Sequence, residues 1–156
     1  MTVSRNAPCP CGSGRRAKSC CAPILDGAPA PTPEALMRSR YTAYATRDAA
    51  HLMATTAPGS PHRGADPRAW REDLLRYCDA VRFLGLTVFG ATEDGDRGEV
   101  RFFARISVDG ADASFGEHSR FARVGGRWAY LDGTRIDADG RPIVEGVSGP
   151  GGVPGA

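Results

Sequence analysis

No run of roughly 18 or more apolar residues occurs, which excludes an ordinary membrane-spanning helix. The opening stretch "MTVSRNAPCP" lacks the apolar centre of a signal peptide, so the expected compartment is the cytoplasm. Lysine is nearly absent and arginine carries the positive charge, a bias that fits a GC-rich genome better than a function. The net charge is only +2, too small for a general binder of nucleic acid. Nucleophile elbows and phosphate loops are missing, as is a second metal motif. Large apolar side chains are almost missing from residues 1–26, where Val3, Ile24 and Leu25 stand nearly alone. A segment of that composition cannot build a core.

What that segment does have is cysteine. Four of the five cysteines lie in "CPCGSGRRAKSCC", residues 9–21. A disulfide reading needs cross-pairing, because adjacent cysteines bridge only through a strained ring, and a reducing compartment opposes it. A redox pair usually reads C-x-x-C, which is missing here. Four thiolates can instead close a tetrahedral shell around one metal ion, with Cys9, Cys11, Cys20 and Cys21 as ligands. Gly12 and Gly14 suit the positive φ angles of a tight knuckle, and Pro8 and Pro10 stiffen the approach. The metal would supply folding free energy on the order of 10 kcal/mol. One Zn²⁺ per chain is the expectation. Iron is the second choice, since soft sulfur ligands suit both.

These residues resemble the SEC-C motif, the short metal knuckle found at the C-terminus of the SecA translocation motor and on many bacterial proteins. The likeness covers all four ligand positions and the Gly-Ser-Gly between them. The motif often ends Cys-His, whereas this chain ends Cys20-Cys21, a common variant. The resemblance implies a zinc-bound adaptor that docks on a protein partner, such as the export machinery or the ribosome, through a basic surface. Arg15, Arg16 and Lys18 would form that surface. The plainer reading is that they only offset the −2 charge of four thiolates and Zn²⁺.

Beyond the knuckle, "DGAPAPTPE" reads as an extended, semi-rigid linker. Thr32 and Pro33 then open a helix as N-cap and first residue, with Met37, Tyr41, Tyr44 and Ala45 on one face. A short helix follows Asp48 and buries Leu52 and Met53. A third, capped by Asp66, turns Trp70, Leu74, Tyr77 and Cys78 inward. Cys78 is expected to be a core residue. After residue 80 the pattern becomes β-branched and aromatic. Strands are predicted in "VRFLGLTVFGATED", "EVRFFARISVDG", "ASFGEHSRFARVGG" and "GGRWAYLDG", the last entered through a Gly125-Gly126 hairpin turn. Val100, Phe102, Ala104 and Ile106 share one face. Helices followed by antiparallel strands give an α+β fold, with helices packed on one face of a curved sheet.

That order is similar to the cone-shaped nuclear transport factor 2-like fold. The whole chain resembles the YchJ family of bacterial proteins, on "CPCGSG…CC", "ALMRSRYTAYA" and "EHSRFARVGGRWAYLDG". The expected organisation is a SEC-C-like zinc knuckle at 1–26, a linker at 27–33, a nuclear transport factor 2-like domain at 34–137 and a flexible tail at 138–156. Cones of this kind often dimerise through the open sheet face, so a homodimer is compatible with the resemblance.

Such cones often hold a pocket. Its candidate lining here is Glu117, His118, Arg40, Tyr41, Tyr44 and Trp128, with Glu117 or His118 as a general base. Strand alternation puts Glu117 and Ser119 on one face and His118 and Arg120 on the other. Trp128 and Asp132 are expected to share a face of the last strand. His51 and His62 have no evident partner. The plainer reading is again strong: cross-strand charge pairs and aromatic core anchors account for these residues. No catalytic residue is assigned, and an enzyme is not the favoured reading. The main expectation is a zinc-binding adaptor. The alternative is a small-molecule-binding protein or enzyme that uses the pocket.

Overall fold

A computed structural model describes residues 3–143; the end of the expected tail, 144–156, lies outside the described residues. A 3₁₀ turn, Ala17–Ser19, leads into four α-helices: α1 (Cys21–Leu25), α2 (Pro33–Ala45), α3 (Ala49–Ala54) and α4 (Pro67–Ala80). Strands follow without a break: β1 (Val81–Asp94), β2 (Arg97–Val108), β3 (Ala111–Asp112), β4 (Phe115–Val124) and β5 (Arg127–Ile136). The sheet is antiparallel in the order β1-β2-β4-β5, with β3 added to β2. The helices-then-strands order expected from the sequence is the order found.

The helix starts are where local chemistry puts them. Thr32 Oγ1 accepts from the Ala35 N–H at 3.1 Å, Asp48 from the His51 N–H and Asp66 from the Arg68 N–H. These bonds satisfy donors that a helix start leaves open. The β4–β5 turn uses Gly125 and Gly126 at φ +58° and +79°, the left-handed pair that a two-residue hairpin requires.

Helix α2 crosses the inner face of the sheet and touches β1, β2 and β5. Val100, Phe102, Ala104 and Ile106 are buried beneath it, as the alternation of β2 predicts. β1 is bent by two register shifts, at Phe83/Gly85 and Val88/Gly90, and such bulges curve a sheet. Another irregularity lies between β4 and β5. Arg120 pairs with Asp132 while the next residue, Phe121, pairs with Tyr130, so Leu131 is the extra residue. That insertion flips the alternation. Trp128 and Tyr130 are buried, whereas Asp132 pairs with Arg120 on the opposite face. The expectation that Trp128 and Asp132 share a face is therefore overturned.

The knuckle and the cone share one core. Cys9, Cys11, Ala17, Cys21 and Ile24 pack in the same buried cluster as Leu36, Met37, Phe102 and Trp128. Arg127 Nη1 donates to the Gly27 carbonyl at 3.0 Å, which ties β5 to the 26–33 connection. Past β5, residues 137–143 fold back: Asp137 Oδ1 accepts from the Asp139 and Arg141 N–H groups, and Ile143 N–H donates to the Arg135 carbonyl.

Close packing makes Gly98 testable. A Cβ at Gly98 would collide with the Pro33 ring and lie 3.4 Å from Trp128. A proline ring at the start of α2 cannot swing aside. Gly98→Ala should cost roughly 1–3 kcal/mol of unfolding free energy, read by urea denaturation. Gly90→Ala, which meets only the end of Arg101, serves as the mild control. Equal effects would show that the α2–sheet contact is soft.

A second test uses His51, which is 8 % exposed and bonded through Nε2 to Ser39 Oγ at 2.9 Å. Burial, followed by the nearby Arg40 charge, lowers its pKa to about 4. The native state thus favours neutral His51, and its contribution is fully present above the ordinary value of about 6.5. It is lost as pH falls from there toward about 4. His51→Gln should lack this part of the acid destabilisation, on the order of a few kcal/mol. Parallel Tm–pH profiles for the two proteins over that window would refute the assignment.

Candidate metal centre

The Sγ atoms of Cys9, Cys11, Cys20 and Cys21 all lie within 4.8 Å of one another. The loop from Pro8 to Arg16 closes on itself: Cys9 N–H donates to the Arg15 carbonyl at 2.9 Å and Gly12 N–H to the Cys9 carbonyl at 3.1 Å. Gly12 and Gly14 sit at φ +75° and +85°, which accounts for glycine at both positions. The 3₁₀ turn and α1 then deliver Cys20 and Cys21 to the same point. Cys11 and Cys20 sulfurs are 3.5 Å apart, and those of Cys20 and Cys21 3.9 Å. Sulfurs at about 2.3 Å from a central tetrahedral ion would be spaced by about 3.8 Å. A disulfide bond is about 2.05 Å long, and all five cysteines are free thiols. The four thiols fit a metal ion in number, spacing and softness.

The surroundings fit as well. Cys9, Cys11 and Cys21 are buried and Cys20 is half-buried. Hydrogen bonds from Cys11 and Cys21 draw the Cys9 thiol far below its usual range. The Cys11 and Cys9 sulfurs, together with burial, push Cys21 far above it. Protons are thus shared unevenly among crowded sulfurs, and a divalent cation is what allows all four to ionise. Ser13 Oγ lies 3.2 Å from Cys20 Sγ and Thr42 Oγ1 3.8 Å from Cys9 Sγ.

Two guanidiniums offset the charge. Arg15 Nη2 approaches Cys20 Sγ at 3.7 Å. Arg38 Nη1 lies 3.0 Å from the Cys11 carbonyl and 3.9 Å from Cys11 Sγ, and its Nε is paired with Glu34 at 2.9 Å. Arg38 and Thr42 belong to α2, far from the cysteines in sequence, and no local pattern marks them. Of the expected basic surface, Arg16 is exposed with Nη1 on the Asn6 carbonyl at 2.5 Å, and Lys18 is exposed.

The pocket candidates do not share one place. Arg40, Tyr44 and Glu117 come together inside the cone. Glu117 accepts from Ser119 Oγ at 2.5 Å and from Tyr130 Oη at 3.0 Å. Gly133 leaves the space for it, since a Cβ there would sit 2.7 Å from its carboxyl group. Arg40 is 1 % exposed, and its Nη1 donates to Leu52 O, Thr55 Oγ1 and Thr56 Oγ1. It thereby caps the end of α3 and lies 4.9 Å from the Tyr130 ring. Tyr41 points elsewhere, edge-on to Phe83, and burial raises its pKa to about 12. His118 is on the outer face beside Glu99 at 2.5 Å, as alternation requires. Trp128 lies under Arg123 at 4.6 Å. Neither His118 nor Trp128 joins the Arg40–Glu117 group. Between Tyr41, Tyr44, Tyr77 and Phe83 a gap of about 20 Å³ remains, which is the room of one water. The histidines expected to lack partners have them: His51 bonds Ser39, and His62 packs 5.6 Å from the Tyr130 ring.

Comparison with known proteins follows the same division. The model of the YchJ middle NTF2-like domain matches residues 32–133, and that of the SEC-C motif matches residues 5–23. The chain belongs to the YchJ family. It is 43% identical over 135 residues to a UPF0225 protein of Xanthomonas oryzae, covering 84% of this chain and 97% of that one. A UPF0225 protein of Deinococcus radiodurans is 43% identical over 131 residues, with 80% and 87% covered. The solution structure of a SEC-C motif containing protein from Rhodopseudomonas palustris superposes with a TM-score of 0.72 at 36% identity, covering 84% of this chain and all of that one. A SEC-C motif containing protein from Psychrobacter arcticus shares the fold at a TM-score of 0.68, with 22% identity and 88% and 93% covered. The NTF2-like α+β architecture and the YchJ resemblance are thereby confirmed.

Because the thiols are part of the common core, metal loss should be felt throughout the chain. Chelation, or Cys20→Ser, is expected to lower the Tm of the whole protein. The loss should be several kcal/mol of the roughly 10 available in small structural sites. Tryptophan fluorescence reads this directly, since Trp128 lies in the knuckle's own cluster. An unchanged tryptophan transition alongside complete metal loss would show that the knuckle melts by itself.

Proposed function

We propose that the protein is a zinc-bound adaptor of the cytosol, whose knuckle presents a rigid basic surface to an acidic site on a protein partner. The export machinery and the ribosome are the partners the SEC-C resemblance suggests. The observation that carries this reading is the two-sided loop from Cys9 to Cys20. Its inner side holds the thiol cluster against α2, while Arg16 and Lys18 stand exposed on its outer side. A closed shell of four thiolates supports zinc in a structural role, with no position left for substrate. Arg15 divides its charge between the cluster and the surface. No aromatic side chain in the loop offers a base-stacking platform, which favours protein over nucleic acid as the partner. Among the described residues no helix is long and apolar enough to cross a membrane.

Arg16→Glu combined with Lys18→Glu should abolish co-sedimentation with purified ribosomes and binding to purified export motor. Zinc, measured by elemental mass spectrometry, should stay at one per chain. Raised salt should weaken binding of the unmodified protein in the same way. Undiminished binding by the double variant would reject the basic surface.

A further inference from the structure

A separate cavity, walled in part by Leu36 of α2, lies apart from the thiol cluster and the Arg40–Glu117 group. It is enclosed by residues 27–30, by α3 with the loop that follows it, and by the start of β5, and its volume is about 350 Å³. That is within the range of small-molecule sites. Its walls are mainly apolar, with Leu36, Met53 and Trp128 among them, and its polar side chains are His51, Thr55, Thr56, Arg63 and Arg127.

The His51 ring is held in one tautomer. Ser39 Oγ donates its only proton to the Leu36 carbonyl at 2.7 Å. It can therefore only accept from His51 Nε2, 2.9 Å away, so the proton sits on Nε2. Nδ1 is left as a lone-pair acceptor, and no hydrogen-bond partner for it is found among the described residues. The residue is buried as a whole but lines the cavity, where its ring can meet a ligand. Burial beside Arg40 keeps the ring neutral near pH 7.

The two arginines are also incompletely used. Arg63 Nη1 donates to the Thr56 carbonyl at 3.1 Å and its guanidinium lies 5.4 Å from the Trp70 ring. Arg127 donates to the Gly27 carbonyl. Neither has a carboxylate partner among the described residues, and no acidic residue lines the cavity. Arg63 and Arg127 are exposed and stand at the rim of the cavity, whose inner wall is apolar and holds the neutral His51 ring. Guanidinium matches carboxylate in a bidentate manner, and the apolar walls favour a monoanion with an apolar body over a highly charged phosphate.

We propose that this cavity binds a small carboxylic acid bearing a hydrogen-bond donor, with Arg63 and Arg127 supplying charge for the carboxylate and His51 Nδ1 accepting from the donor. This site is independent of the knuckle's basic surface, and its failure would leave the adaptor reading untouched.

The full, metal-loaded chain can be tested with three probes: mandelate, phenylacetate without the hydroxyl, and mandelamide without the charge. Nitrogen-15 spectra of the histidine side chains should show His51 as the Nε2–H tautomer, with mandelate shifting Nδ1. Phenylacetate and mandelamide should each bind about tenfold more weakly than mandelate, as should mandelate to the Arg63→Gln, Arg127→Gln double variant. The variant's Tm and unliganded spectrum report whether it is folded, and the probe series on the unmodified chain decides the case if it is not. A proton on Nδ1, no shift of His51 with mandelate, or equal affinities for the three probes would overturn the proposal.

Discussion

Four sulfurs crowded within 4.8 Å of one another cannot all ionise without a cation among them. The N-terminal segment depends on that constraint, because Val3, Ile24 and Leu25 are nearly all the large apolar side chains it owns. The cluster does not stand apart, however. Arg38 and Thr42 reach it from α2, and the cysteines are themselves buried members of the cone's core. A metal held there and hydrophobic packing would therefore act on the same atoms: a metal that drew the thiolates together would also settle the surface on which α2 rests.

Helix α2 has neighbours on several sides. The knuckle, the sheet and α3 all pack on it, and a helix so enclosed must carry polar side chains into the interior. Ser39, Arg40 and Thr42 are buried with their polar atoms engaged. Arg40 holds the end of α3 and lies over Tyr130, while Glu117 is held by Ser119 and Tyr130. Buried charges persist only where such partners exist. This arrangement accounts for the Arg40–Glu117 group as architecture, and an opening of about 350 Å³ lies instead between α3, β5 and the 27–30 loop.

Comparison of these elements shows what local signals can carry. The four-cysteine cluster was legible because spacing, glycine positions and a missing core all pointed the same way. The caps Thr32, Asp48 and Asp66, the buried face of β2 and the Gly125-Gly126 turn were legible because each is decided within a few residues. The face of Asp132 was not legible, since one inserted residue, Leu131, reverses the alternation and leaves no mark in composition. Arg38 beside Cys11 and Ser39 beneath His51 were hidden for another reason: each contact joins elements whose relation is decided by packing.

The sequence by itself determined the four-cysteine cluster, the helices-then-strands order and the YchJ family, because periodicity, capping and motif spacing are short-range properties. Tertiary structure decided that the knuckle shares the cone's core, that Arg40 and Glu117 meet while His118 faces outward, and that His51, Arg63 and Arg127 line one cavity. Those outcomes follow from how the helices seat on a bulged sheet, where burial and unpaired polar groups are properties of the assembled chain and not of any segment.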